Sequence, residues 1–78
     1  MPERIHHFVV TTEGALRVQL VSLPPGETAW IDASQYEQIT GEPLDEFSEE
    51  GRLMLARIAA ETGCTIRSEQ GRVCFTKS

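Results

Sequence analysis

The chain has 78 residues, 40% of them hydrophobic, and carries a formal net charge of −5 from 12 Asp or Glu against 7 Lys or Arg. That length lies near the lower limit at which one core folds unaided, so one domain over 1–78 is expected. The charge repels phosphate and argues against a generic nucleic-acid footprint, and no apolar run is long enough to span a membrane.

The start of the chain, MPERIHHF, lacks the basic-then-apolar layout of a secretory signal. Cys64 and Cys74 are too few for a disulfide framework. A soluble, cytoplasmic protein is the resulting expectation.

Ile5 to Thr12 is rich in β-branched and aromatic residues and reads as a strand. Ala15 to Ser22 alternates, with Leu16, Val18 and Leu20 on one side and Arg17 and Gln19 on the other, so it reads as a second strand. A three-residue loop with a left-handed Gly14 would pair Phe8 with Val18 and Val10 with Leu16. A two-residue Glu13-Gly14 turn would bring His7 and Val9 to that face instead; the first loop is preferred because it groups the larger side chains.

Leu23-Pro24-Pro25-Gly26 breaks the chain, since neither proline can donate to a ladder. Glu27 to Asp32 reads as a short third strand, with Ala29 and Ile31 on one side and Thr28 and Trp30 on the other, both sides covered. Asp32-Ala33-Ser34-Gln35 is a capping box, which predicts a helix from Ala33 to about Thr40 with Tyr36 and Ile39 inward and Gly41 at its end. Pro43 can open a further turn of helix through Phe47.

Ser48 to Gly63 carries the main helix. Phe47, Met54 or Leu55, Ile58 and Thr62 recur at helical spacing, widened by Leu53, Ala56, Ala59 and Ala60. Ser48 suits the N-cap, Glu49 and Glu50 suit the first turn, and Gly63 suits a left-handed terminus. Gly51 is out of place, costing ~1 kcal/mol against Ala in a helix interior. The chain then closes in a hairpin. With Gln70-Gly71 as the tight turn, Ile66 faces Phe75 and Ser68 faces Val73. The expected architecture is α+β, a small antiparallel sheet in β-β-β-α-α-β-β order under the Ser48–Gly63 helix.

No motif names a chemistry. His6 and His7 alternate to opposite faces of a strand, and the cysteines lack the spacing of a zinc knuckle, so no metal and no cofactor is expected. There is no Gly-x-Ser-x-Gly, phosphate loop or His-Glu-x-x-His, and so small a fold has little room for a pocket; an enzyme is not expected.

Charge is the remaining signal. From Asp32 to Glu50 there are seven acids, Asp32, Glu37, Glu42, Asp45, Glu46, Glu49 and Glu50, and no Lys or Arg. With Trp30 and Tyr36 as aromatic anchors, this segment is the candidate surface for a basic protein partner, in the manner of small phage- or plasmid-type inhibitors and nucleic-acid mimics. The alternatives are a homodimer built through a strand edge or helix face, the acidic face being inert, or a nucleic-acid module. The last would use Arg17, Arg67 and Arg72 on an outward sheet face with Phe8 or Phe75 for stacking.

Overall fold

The computed structural model describes residues 5–43, 49–69 and 71–78. In chain order the elements are β1 (Ile5–His7), α1 (Glu13–Ser22), β2 (Thr28–Asp32), α2 (Ala33–Thr40), α3 (Glu49–Glu61), β3 (Cys64–Glu69) and β4 (Arg72–Lys77). The fold is α+β, as expected. Its sheet runs β1-β2-β4-β3, with β1 parallel to β2 and the other two pairings antiparallel.

The expected N-terminal hairpin is corrected: Ala15–Ser22 lies in a helix. Thr12 caps it, its hydroxyl accepting from the Ala15 amide at 3.1 Å, and Glu13 occupies the first turn. Leu16, Leu20 and Leu23 follow i, i+4, i+7 spacing and are all buried, whereas Val18 points to solvent. Burying three leucines on one stripe outweighs the alternation that suggested a strand. An α-helix between β1 and β2 is a crossover, and a crossover makes its two strands parallel, so the sheet is mixed rather than antiparallel. Lys77 from β4 completes the unit, its ammonium donating to the Leu20 carbonyl at 2.8 Å, where the last turn of α1 has no basic residue.

The rest follows the local rules closely. Asp32 and Gln35 make a reciprocal capping box at the start of α2, at 2.8 and 3.0 Å. Gly41 and Gly63 both take positive φ where the helices end. In the C-terminal hairpin Ile66 pairs with Phe75 and Ser68 with Val73, the expected register. Ser48 and Phe47, assigned to the start of the main helix, lie outside the described residues, as does any turn of helix after Pro43.

Gly51 has a tertiary explanation. It is buried in α3, and a Cβ placed there would run into the Tyr36 hydroxyl and stand 3.2 Å from a Glu42 carboxylate oxygen. Tyr36 is fully buried and α2 packs against α3 through that gap. The helix accepts a weak helix former so that a large aromatic can enter the core.

Helices α1, α2 and α3 lie on one side of the sheet. Leu16, Leu20, Tyr36, Ile39, Leu55 and Ile58 join Ala29, Ile31, Val73 and Phe75 in one buried cluster. Alternation sends the intervening strand residues to the other side.

Candidate functional site: the open face of the sheet

Among the described residues no helix covers that second side. His7 of β1, Thr28, Trp30 and Asp32 of β2, Arg72, Cys74 and Thr76 of β4, and Thr65, Arg67 and Glu69 of β3 share it by register. Trp30, which the sequence offers both as a covered strand residue and as a surface anchor, is half-buried here.

Trp30 is the centre of a row that crosses the strands. The His7 ring stacks on its indole at 4.0 Å between centroids and 10° between planes. Arg72 reaches in from the neighbouring strand on the other side, its guanidinium 5.1 Å from the ring centroid. His7 is held in turn by Gln35, with its Nε2 at 3.1 Å from the amide oxygen, and lies 3.5 Å from Asp32 Oδ2. The Gln35 amide nitrogen donates to the buried Phe8 carbonyl, so one side chain fixes the end of β1, the start of α2 and the orientation of His7.

The charges on this face are paired. Glu69 accepts from Arg67 at 2.6 Å with one oxygen and from Arg72 at 3.0 Å with the other. Hydrogen bonding from Arg72 leads the effects that hold its carboxyl below the ordinary range. Burial pushes the Cys74 thiol up, so it is an inert packing group. Thr28 and Thr76 join hydroxyls at 3.0 Å. Trp30, Glu69, Gly71 and Arg72 line a broad hollow of about 550 Å³ at the turn end of the face.

Among the described residues, Tyr36, Asp32 and Trp30 do not join the exposed acids of the helix layer on one surface. Tyr36 is 0% exposed, so it is a core residue and not an anchor. Burial, then the Glu42 carboxylate, raises its phenol above the usual value. Asp32 is the cap of α2, and Trp30 lies across the sheet from the helices. Glu37, Glu49 and Glu50 are exposed on the helix layer, Glu50 beside Leu53, Met54 and Arg57 in a groove of about 400 Å³. Glu42 is half-buried next to Gly51. Asp45 and Glu46 lie outside the described residues.

The rival nucleic-acid surface is also rearranged. Arg67 and Arg72 do face outward, but Arg17 sits on α1, paired with Glu13 at 2.7 Å and Glu61 at 3.0 Å. Phe8 and Phe75 are buried under the helices, and the rings on the outward face are Trp30 and His7. Sequence reasoning missed His7 and Glu69 as site residues. The signal for Glu69 was present, because a residue flanking a tight turn lies directly opposite Arg72 and two positions from Arg67.

Among the described residues no three His, Cys, Asp or Glu side chains cluster to hold a metal ion, and no helix is long and apolar enough to cross a membrane. No family model matches the chain, and neither a curated protein nor a solved structure matches it.

Proposed function

We propose that this chain is a small acidic, non-enzymatic domain that binds a basic protein partner, and that the open face of its sheet is the working surface. The observation that carries this is Trp30 itself. A tryptophan flanked by His7 and Arg72 on an uncovered sheet face is the residue combination that anchors protein interfaces. Asp32 adds specificity, since its side chain is 41% exposed and offers an acceptor to a partner's Lys or Arg. The net charge of −5 steers a basic partner toward the molecule from a distance, an effect that salt weakens. On this reading the exposed acids of α2 and α3 supply attraction, and the sheet supplies the contact.

A second reading takes the same face as a platform for single-stranded nucleic acid, favoured by two outward arginines beside two aromatic rings. Glu69 neutralises both arginines, which is why the protein partner is preferred.

The test is capture from host lysate at low salt with a salt-gradient elution. It compares the native chain, Trp30→Ala, and a variant with Glu37, Glu49 and Glu50 changed to Gln, each checked for an unchanged thermal transition. The proposal expects Trp30→Ala to lose the captured protein and the triple variant to retain it with elution at lower salt. Loss only in the triple variant would return the site to the helix layer. Retention of a labelled single-stranded oligonucleotide, abolished by Arg67→Glu and Arg72→Glu, would establish the second reading.

A further inference from the structure

The strand order leaves β3 at an edge of the sheet, and it is a long, regular edge. Its register with β4 runs unbroken from Cys64↔Lys77 to Glu69↔Arg72, and it contains neither proline nor lysine. The other edge, β1, has three residues, and such shortness is itself a protection.

The tight turn decides which amides of β3 are already used. Glu69 and Arg72 flank a two-residue loop and so exchange hydrogen bonds. Alternation gives Arg67–Cys74 and Thr65–Thr76 the same status. The backbone N–H and C=O groups of Cys64, Ile66 and Ser68 therefore point away from β4. Among the described residues no strand pairs with that side.

We propose that a second copy of this chain occupies the edge, its β3 pairing antiparallel with the first about a two-fold axis at Ile66. The edge is self-complementary about that residue. Rotation sets Cys64 opposite the second copy's Ser68 and Ile66 opposite its equivalent, so every outward amide of the strand meets one and none is left over. On the helix side, half-buried Ile66 meets its equivalent beside a hollow of about 210 Å³ lined by Arg52, Ile66, Arg67 and Ser68. On the open side Arg67 faces the second copy's Thr65 and not another arginine, and its charge is already held by Glu69 at 2.6 Å. An acidic peptide in the same groove would have to compete with Glu69 for Arg67.

The pairing joins two four-stranded sheets into one, with both open faces on the same side, because the axis runs perpendicular to the sheet. One face alone, four strands wide, offers roughly 300 Å² at standard strand spacing, against the ~800 Å² per partner of a typical stable interface. Two faces side by side approach that size. The dimer itself stands on the edge geometry and not on what the face binds.

The experiment is light scattering of the full chain across a concentration series, beside Ser68→Pro. Proline there removes an outward amide and leaves the β3–β4 ladder intact. The expected result is twice the chain mass for the native protein and a single chain mass for Ser68→Pro with an unchanged far-ultraviolet spectrum. Independently, Ile66→Cys should form a covalent dimer on mild oxidation, since facing residues in such a pair have Cα atoms ~5.5 Å apart, within disulfide reach. Thr65→Cys, which faces Arg67, should not. A native chain that stays monomeric up to millimolar concentration would overturn the proposal. So would a Ser68→Pro protein that dimerises as before, or an Ile66→Cys protein that does not cross-link.

Discussion

The two sides of this sheet are built by different rules. On the helix side, side chains from α1, α2 and α3 close over Ala29, Ile31, Val73 and Phe75, and the polar groups among them include helix caps and the buried Tyr36 phenol. On the open side, the same strands carry a ring stack, two arginines, two carboxylates and a pair of threonine hydroxyls. A sheet of a 78-residue protein needs one covered face to fold. The second face is under no such demand, and an aromatic placed there reflects something other than the core. The comparison makes stability a property of one side and recognition a property of the other.

The largest expected effect lies on the covered side. Phe75→Ala removes a fully buried ring and should cost about 3–5 kcal/mol, enough to leave so small a domain largely unfolded in urea denaturation. Gln35→Ala should cost about 1–3 kcal/mol, because it strands the buried Phe8 carbonyl and removes the Gln35 half of the α2 capping box.

Gly51→Ala sharpens the contrast by its sign. In an ordinary helix interior this change gains roughly 1 kcal/mol. Here thermal denaturation should show a loss, since the added methyl meets the Tyr36 hydroxyl. Adding Tyr36→Phe should recover part of the stability by removing that oxygen.

Trp30→Ala should be mild by comparison. It gives up one stacked ring and one guanidinium contact, worth about 0.5–1.5 kcal/mol, and should leave a folded protein that no longer binds. If it unfolds the chain, the division between the two faces fails.

The smallest effect is a pH dependence. The carboxyl of Glu69 is lowered in the folded protein, so folding favours its ionised form. The associated stability is present above the ordinary glutamate range and is lost as pH falls through the lowered folded value. Glu69→Gln should flatten the acid limb of a melting-temperature profile without moving the neutral region.

How much of this was legible in the sequence differs between the two halves of the chain. From Asp32 onward the chain can be read residue by residue: the Asp32–Gln35 box, Gly41, the main helix and the register of the last hairpin are all local signals. The N-terminal half misled because Leu16, Val18 and Leu20 satisfy a two-residue period while Leu16, Leu20 and Leu23 satisfy a helical one. Only the packing of the leucines under the sheet separates them. Gly51 is an anomaly by helix propensity, and its reason lies in Tyr36, fifteen positions away in sequence and in contact in space.

The site was half visible. Alternation alone puts Arg67 and Arg72 on the outward face, and Trp30 stood out as an anchor. The acidic run is a signal of composition alone. Folding takes Tyr36 from that run into the core, sets Asp32 at a cap and leaves the anchor Trp30 on the opposite side of the sheet from the helices. The stack of His7 on Trp30 depends on the parallel β1–β2 pairing, which the misread hairpin concealed.

Trp30 is the only tryptophan of the chain, so its fluorescence reports on the open face directly. The most direct test titrates the native protein with the purified captured partner and follows the emission maximum and acrylamide quenching. Binding through the open face gives a blue shift and protection from quencher that saturate together with complex formation. Saturable binding that leaves both unchanged would place the contact elsewhere and contradict the proposal.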